Sequence, residues 1–203
     1  MAEGVAKSPR KEAIRLSKLL ELSLGSDRFP VDVAVTSADG DVTVAQLIAT
    51  GPAVVAFHRL WCPFCQQAAR DLEQAGDQLA AAGARVAIVY RDDIDTVCAS
   101  CAQRGITADC LSDPQQELER ATEVERFSLG RYAMFSPMRL IRVLRSGSRA
   151  GKVTSDVLQG RGTFVVDRDG RIVYAHHAVT AADIPLIDDI VAAVRAVAGG
   201  AGA

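Results

Sequence analysis

The sequence lacks an excess of charge of either sign, which limits the partners that it can attract as a whole. Its 23 basic and 25 acidic residues give a formal net charge of −2. A near-neutral chain has no general electrostatic attraction for nucleic acid or a membrane surface. We therefore expect no nucleic-acid partner, and any electrostatic steering must come from a local patch.

Long apolar runs and abundant cysteines are also lacking. No unbroken apolar stretch precedes Lys18 and Glu21, so we expect neither a signal peptide nor a membrane span. The five cysteines are an odd number and include two Cys-x-x-Cys pairs, unlike the disulfide framework of a small secreted protein. These features predict a cytoplasmic protein with reactive thiols.

A chain of 203 residues is long enough for one α/β domain with a substantial core and too short for two. We predict that this domain spans residues 31–198 and that residues 199–203 form a flexible tail. Residues 1–30 are predicted to be a helical extension, because Ser8 and Pro9 can start a helix with apolar residues at helical spacing. This helix would pack against the domain or against a second subunit in a homodimer.

Hydrophobic spacing and turn residues predict an alternation of strands and helices. The predicted elements are a hairpin around 38–41, a helix from the Thr43 cap to Leu47, a strand at 53–57, a long helix at 63–83, a strand at 85–90, a helix at 94–104, a strand ending at 111–114, a helix at 115–124, a hairpin of strands 163–166 and 171–175, and a helix at 181–197. Strand, helix and strand in this order form a right-handed βαβ unit with parallel strands. The helices after strands 53–57 and 85–90 therefore begin at the same edge of the sheet.

The first cysteine pair, Cys62 and Cys65, follows a buried strand and opens the next helix. At this spacing both sulfurs lie on one face of the helix and can switch between dithiol and disulfide. Backbone N–H groups and the helix dipole favour a thiolate at Cys62, which is therefore the expected exposed nucleophile. A zinc knuckle and two buried core cysteines are the alternatives.

The second pair, Cys98 and Cys101, lies on the helix that begins at the same sheet edge. Redox exchange with the first pair and simple burial both remain open. A tetrathiolate zinc site is disfavoured, because the gap of 32 residues between the pairs is longer than usual. Cys110 is expected to be a small buried residue in a strand.

The remaining titratable residues give weaker signals. His58 ends a strand four residues before Cys62, where it could tune a thiolate, but a packed or solvated imidazole is the favoured interpretation. His176 and His177 have no third ligand at metal spacing, so we predict no metal site. Asp92 and Asp93 are expected to cap the following helix.

A basic insertion, predicted at residues 126–158, precedes the last hairpin. No acidic residue occurs from Arg126 to Ser155, while arginines accumulate there. The segment is either a solvated helix face or a site for an anionic substrate or partner.

Two segments resemble known redox proteins. Residues 54–65, ending in Trp61-Cys62-Pro63-Phe64-Cys65, resemble the thioredoxin active-site strand with its Trp-Cys-x-x-Cys. Residues 161–167 resemble the Arg-Gly-x-Phe-x-x-Asp segment of peroxiredoxins. On these residues the chain is identified as a member of the peroxiredoxin-like (alkyl hydroperoxide reductase/thiol-specific antioxidant) family, in its Cys-x-x-Cys branch, over about Val31 to Val197.

This resemblance implies a thioredoxin-like α/β fold, with a central mixed sheet flanked by helices. It also implies an antioxidant enzyme that reduces hydroperoxides through a Cys62/Cys65 dithiol–disulfide cycle. Arg161 would position and ionise the peroxidatic cysteine, and either Cys98 or Cys101 could act as a resolving cysteine. The residues expected to line the site are Trp61, Pro63, Phe64, Gly162 and Thr163. No cofactor is expected beyond an external dithiol, such as a thioredoxin or a low-molecular-weight thiol.

The chain departs from the typical peroxiredoxin motif at two places. An alignment on Cys65 puts His58 at the motif proline and Cys62 at the motif threonine. Two alternative functions therefore stay open. One is a protein disulfide reductase without peroxidase activity, and the other is a non-enzymatic metal-binding or interaction module.

Overall fold

The computed structural model describes residues 28–124, 145, 160–180 and 182–200. The predicted N-terminal helix and most of the basic insertion lie outside the described residues. The described helices and strands are β1 (Ala34–Ser37), β2 (Gly40–Thr43), α1 (Val44–Leu47), β3 (Ala53–Phe57), α2 (Pro63–Gln74), α3 (Gly76–Ala81), β4 (Arg85–Tyr90), α4 (Ile94–Arg104), β5 (Asp109–Ser112), α5 (Glu117–Ala121), β6 (Gly162–Val166), β7 (Ile172–His177) and α6 (Ile187–Gly200).

The described strands form a seven-stranded mixed sheet in the order β2-β1-β5-β4-β3-β6-β7. Strands β3, β4 and β5 are parallel, and β6 and β7 join them as an antiparallel hairpin. This confirms the predicted α/β fold with a central mixed sheet and a parallel pair around the first long helix.

Side chains of the central strand β3 pack on both faces of the sheet, so all five of its residues are buried. Val54 and Ala56 face the cluster formed with α2, α3, α4 and α6. Val55 and Phe57 face the cluster formed with α1 and α5. A strand covered on both faces is expected to read as a continuous apolar run. The run ends at Phe57, and the next residue stays at the sheet because the His58 amide donates to the Val89 carbonyl at 2.9 Å.

Two helix boundaries follow the predicted caps. Thr43 and Gln46 form a reciprocal capping box at the start of α1. Asp93 accepts a hydrogen bond from the Thr96 amide at the start of α4, and Gly105 ends that helix with a φ of 65°. Glycine is favoured in this left-handed conformation, because a Cβ would crowd the backbone of its own residue.

Three other predicted boundaries are wrong. The single helix at 63–83 is divided into α2 and α3 at Ala75, whose ψ of 0° breaks the helix just before Gly76. The helix at 115–124 is shorter, since Gln116 has a left-handed φ of 57° and Glu123 one of 53°.

The last helix begins at Ile187 rather than at residue 181, and it continues to Gly200, into the predicted tail. Pro185 accounts for the absence of helix before it, because proline disfavours helical backbone in the preceding residue. Residues 182–186 are therefore not helical, and two of them, Ala182 and Ile184, pack on the first cysteine pair.

Candidate active site

The first cysteine pair lies at the end of β3, where α2 begins. Pro63 is the first residue of α2 and Cys62 is its N-cap. A proline suits this position, because its ring presets φ and it lacks the N–H that would be unpaired there. The Cys62 amide donates to the Arg59 carbonyl at 3.2 Å, which closes the turn between strand and helix. Both side chains are buried, with Cys62 7% exposed and Cys65 1% exposed.

Arg161 reaches this pair from the neighbouring strand. Strand β6 runs antiparallel to β3 with Thr163 opposite Ala56, so residue 161 lies beside the end of β3. The buried Arg161 Nη1 lies 3.5 Å from Cys65 Sγ and donates to it. Its Nη2 donates to the carbonyls of Thr180 and Asp183 at 3.2 and 3.3 Å. The guanidinium is thus held between the sulfur and the segment after β7.

The surroundings of the two thiols drive their pKa values apart. Burial disfavours the charged form of Cys65, but the hydrogen bond from Cys62 and the positive charge of Arg161 outweigh it and hold the pKa of Cys65 well below its usual range. The hydrogen bond to Cys65 and burial raise the pKa of Cys62. These opposite shifts favour ionisation of Cys65 before Cys62, with the Cys62 thiol as the hydrogen-bond donor.

This arrangement differs from the expectation of an exposed thiolate at Cys62. The helix N-terminus alone favours Cys62, whereas Arg161, the residue just before β6, donates directly to Cys65. The spacing of the two cysteines contains no information about the charge of Arg161, which lies 96 residues after Cys65 in the sequence.

His58 is buried beside this pair. It is 3% exposed, and its ring packs edge-on against Tyr90 with centroids 6.3 Å apart. Burial lowers the pKa of His58 to about 4, and the guanidinium groups of Arg161 and Arg59 contribute to the same shift against the opposing charge of Cys65. His58 is therefore a neutral, packed imidazole near the thiolate, in agreement with the favoured interpretation of the sequence.

A buried ion network next to this site could not be anticipated from sequence. Arg59 Nη2 lies 2.5 Å from Glu119 Oε1, and Arg91 Nε lies 2.7 Å from Glu119 Oε2. Arg59 also donates to the carbonyls of His58 and Gly160. The network therefore ties the turn before Cys62 to α5 and to the residue that precedes Arg161. In the sequence, the only sign of this network is the charged helix that contains Glu119.

Residues 182–184 cover the two sulfurs. Ala182 and Ile184 pack with Phe64 and both cysteines, and Trp61 packs at the edge of the same cluster. Asp183 stabilises the turn before this cover, because its Oδ2 accepts from the Val179 amide at 2.9 Å. Burial opposes ionisation of Asp183, but the His176 imidazole, 3.5 Å away, and the Val179 amide lower its pKa overall.

The remaining predicted site residues lie in the adjoining strand. Gly162 and Thr163 begin β6 and are buried. A Cβ at Gly162 would lie 2.8 Å from the Phe164 ring and 3.2 Å from Val124. Glycine is therefore required here by packing against Phe164 and Val124, and not by a close approach to a thiol.

Known proteins show the family to which this chain belongs. The profile of the AhpC/TSA family matches residues 26–175. The chain belongs to the AhpC/TSA family. This assignment confirms the resemblance stated above and the prediction of a thiol-dependent redox enzyme. No curated protein matches the chain.

Solved structures similar to this AhpC/TSA chain share its fold at low sequence identity. A bacterioferritin comigratory protein of Xanthomonas campestris, described for its alkyl peroxide reduction activity, is 20% identical over 83% of this chain and 93% of that chain, with a TM-score of 0.60. Peroxidoxin BcpB of Mycobacterium tuberculosis is 19% identical over 84% and 96% of the two chains, with a TM-score of 0.60. A Chlorobium tepidum protein proposed to be the thiol:disulfide interchange protein DsbE is 19% identical over 83% and 96%, with a TM-score of 0.56. These likenesses show the thioredoxin-like fold.

The second cysteine pair of the AhpC/TSA chain is arranged differently. Cys101 forms a disulfide with Cys110, with Cα atoms 6.8 Å apart, and Cys98 is a free, half-buried thiol. The expectation that Cys110 is simply a buried residue is therefore wrong. The register that places Cys110 beside Ile88 brings it next to α4, which sequence spacing does not reveal.

Two further properties are stated only for the part of the AhpC/TSA chain that the structure describes. It contains no group of three or more histidine, cysteine or acidic side chains that could hold a metal ion. None of its helices is long and apolar enough to cross a membrane.

Proposed function

We propose that the chain reduces hydroperoxides, with Cys65 as the attacking thiolate and Cys62 as the thiol that resolves the product. The observation that carries this proposal is the buried contact between Arg161 Nη1 and Cys65 Sγ, 3.5 Å apart. A fixed positive charge at this distance favours the thiolate, which is the nucleophilic form of cysteine. The same guanidinium can stabilise negative charge on the leaving oxygen.

In the first step, the Cys65 thiolate attacks the terminal oxygen of the hydroperoxide. An S–O bond forms, the O–O bond breaks, and the alkoxide takes a proton to leave as an alcohol. In the second step, Cys62 attacks the sulfur of the Cys65 sulfenic acid, and an S–S bond forms as water leaves. An external dithiol then reduces the Cys62–Cys65 disulfide and is itself oxidised. Every electron comes from a thiol, so we propose that no bound cofactor is needed.

Burial of the two sulfurs favours a small oxidant over a protein disulfide. Cys62 is only 7% exposed and lies beneath Ala182 and Ile184. A disulfide reductase must present its attacking sulfur to a second polypeptide, whereas a hydroperoxide needs to deliver only one oxygen. The alternative of a protein disulfide reductase therefore has weaker support.

Single-cysteine variants test the assignment of roles. Cys65→Ser should lose peroxide consumption by at least about 10³-fold, because it removes the nucleophile. Cys62→Ser should react once and stop, leaving a sulfenic acid on Cys65 that a dimedone-type probe traps and peptide mass mapping locates. Cys98→Ser serves as the matched control and should keep the wild-type rate. A sulfenic acid trapped on Cys62 in Cys65→Ser would reverse the two roles, and insulin reduction faster than peroxide reduction would favour the disulfide reductase.

We also propose that the enzyme is cytoplasmic and that a thioredoxin or a low-molecular-weight thiol reduces its Cys62–Cys65 disulfide. The near-neutral charge and the cysteine usage of the sequence support this setting. Three points stay predictions: the division into an N-terminal extension and one domain, the homodimer, and an anionic partner for the basic insertion.

A further inference from the structure

We propose that Cys98, Cys101 and Cys110 form a second thiol–disulfide exchange site, separate from the Cys62/Cys65 pair, and that its ligand is a neutral or cationic thiol. All three cysteines line one open cavity of about 580 Å³ between α4, β5 and the β1–β2 hairpin. One disulfide and one free thiol thus line the same space. The mechanism of the first pair uses none of these sulfurs.

Cys98 is placed to exchange with the disulfide. It lies three residues before Cys101 on α4, and side chains at this spacing are neighbours on a helix face. Cys101 is buried, whereas Cys98 and Cys110 are half-buried. The Cβ atoms of helix positions three apart are about 5–6 Å apart, while a disulfide needs about 3.5–4.5 Å. Attack on Cys110 across the cavity is therefore favoured over attack on Cys101 within the helix.

The exchange needs no oxidant. The Cys98 thiolate attacks Cys110 Sγ, a Cys98–Cys110 bond forms, and the Cys101–Cys110 bond breaks as Cys101 leaves and takes up a proton. The cross-link to β5 is thereby attached to α4 at Cys98 instead of Cys101, about one helical turn earlier. An external dithiol that attacks Cys110 in the same way leaves three free thiols and becomes a disulfide itself.

The charge of the cavity wall selects the external thiol. Asp39, Asp41 and Asp109 line the cavity together with Arg85. Arg85 Nη2 lies 2.8 Å from Asp109 Oδ2, so these two charges compensate each other. The carboxylates of Asp39 and Asp41 leave the wall acidic, which disfavours an anionic thiol such as glutathione and favours a cationic one such as cysteamine.

The test uses the full chain with Cys62→Ser and Cys65→Ser, which retains only the three cysteines of this site. This variant lacks both cysteines of the proposed peroxide reaction. A failure of exchange at the second site can therefore be distinguished from a failure of the proposed peroxidase function. The folded, oxidised protein is incubated with cysteamine, glutathione or dithiothreitol, quenched by alkylation and analysed by peptide mass mapping. The same reaction in concentrated urea corrects for the intrinsic reactivity of each thiol.

We expect dithiothreitol to open the disulfide in the folded protein and a Cys98–Cys110 cross-link to appear before full reduction. At low salt, cysteamine should react with the disulfide about 3- to 10-fold faster than glutathione. This ratio compares rates per thiolate after each rate is divided by the rate in urea. Asp39→Asn/Asp41→Asn should remove this preference, whereas the control Asp77→Asn/Asp188→Asn should retain it. Cys98→Ser in the otherwise wild-type chain should lack the isomer, which provides a second variant for the same test.

Two results would overturn the proposal. One is a Cys101–Cys110 disulfide that resists excess dithiothreitol until the protein unfolds and never yields a Cys98-containing cross-link. The other is an equal corrected rate for cysteamine and glutathione, which would remove the assigned ligand chemistry.

Discussion

The two Cys-x-x-Cys segments have the same spacing but different chemistry. Cys62 and Cys65 lie at the first turn of α2, hydrogen-bond to each other and are buried next to Arg161. Cys98 and Cys101 lie further along α4, and Cys101 is bonded to a cysteine of β5 instead. Identical spacing therefore does not define a redox pair.

The position on the helix and the charges delivered by other strands account for the difference. At a helix start, the backbone is free to bring two sulfurs three residues apart into contact, whereas within a helix the fixed geometry keeps them separate. Within the described structure, Arg161, the residue just before β6, donates a hydrogen bond to Cys65 of the first pair. Three experiments can sharpen or break this comparison.

Removal of the cation should have the largest effect. Arg161→Met should lower the rate of peroxide consumption by about 100-fold, because the thiolate loses its charge partner and the leaving oxygen loses a donor. The pH profile of Cys65 alkylation should shift to higher pH for the same reason. Steady-state peroxide assays and iodoacetamide labelling across pH measure the two effects.

The matched control is Arg85→Met, which removes the arginine at the second cavity and should leave both measurements unchanged. If Arg161→Met matched the wild type in rate and pH profile, Arg161 would have no catalytic role. The two cysteine segments would then differ in geometry alone.

Loss of the disulfide at the second segment should affect stability more than catalysis. Cys110→Ser should lower the free energy of unfolding by about 2–3 kcal/mol, because the cross-link closes a loop with a sequence separation of 9. Its peroxide rate should stay within about 2-fold of wild type. Urea unfolding of the oxidised proteins provides the measurement, with Cys98→Ser expected within about 0.5 kcal/mol of wild type. A large loss of rate in Cys110→Ser would connect the second segment to turnover.

The smallest expected effect concerns pH and the buried imidazole of the first segment. The pKa of His58 is lowered to about 4 in the folded protein, so protonation favours the unfolded state. Its contribution to stability is present above the unfolded pKa of about 6.5 and decreases as the pH falls towards 4. At pH 5 the loss relative to pH 8 is about 2 kcal/mol.

Urea unfolding of wild type and His58→Phe at both pH values isolates this effect. The difference in free energy of unfolding between the two proteins at pH 8 reports the altered packing. The change in this difference between pH 8 and pH 5 reports the titration of His58. An equal pH dependence in the two proteins would show that His58 is not buried in its neutral form.

Most of the fold could be predicted from the sequence, because local patterns determine it. The apolar run before Phe57, the Thr43 and Asp93 caps and the stop at Gly105 all act within a few residues. The late start of α6 was also a local effect of Pro185, and the prediction missed it.

The site was less accessible to prediction, because its electrostatics depend on contacts between distant elements. The cysteine pair and Arg161 could be found from motifs, but not which sulfur the arginine contacts. The Arg59–Glu119 ion pair joins residues 60 positions apart, and the Cys101–Cys110 bond depends on sheet register. Periodicity contains no signal for such pairings.

The hydrogen bond between the two thiols also has a consequence for damage by excess substrate. A sulfenic acid on Cys65 can either condense with a thiol or meet a second peroxide molecule and become a sulfinic acid, which is irreversible in most proteins. Cys62 is already in contact with Cys65 before the first oxidation, so condensation needs no rearrangement of the helix. The geometry therefore favours an enzyme that survives bursts of peroxide instead of one that signals them by its own inactivation.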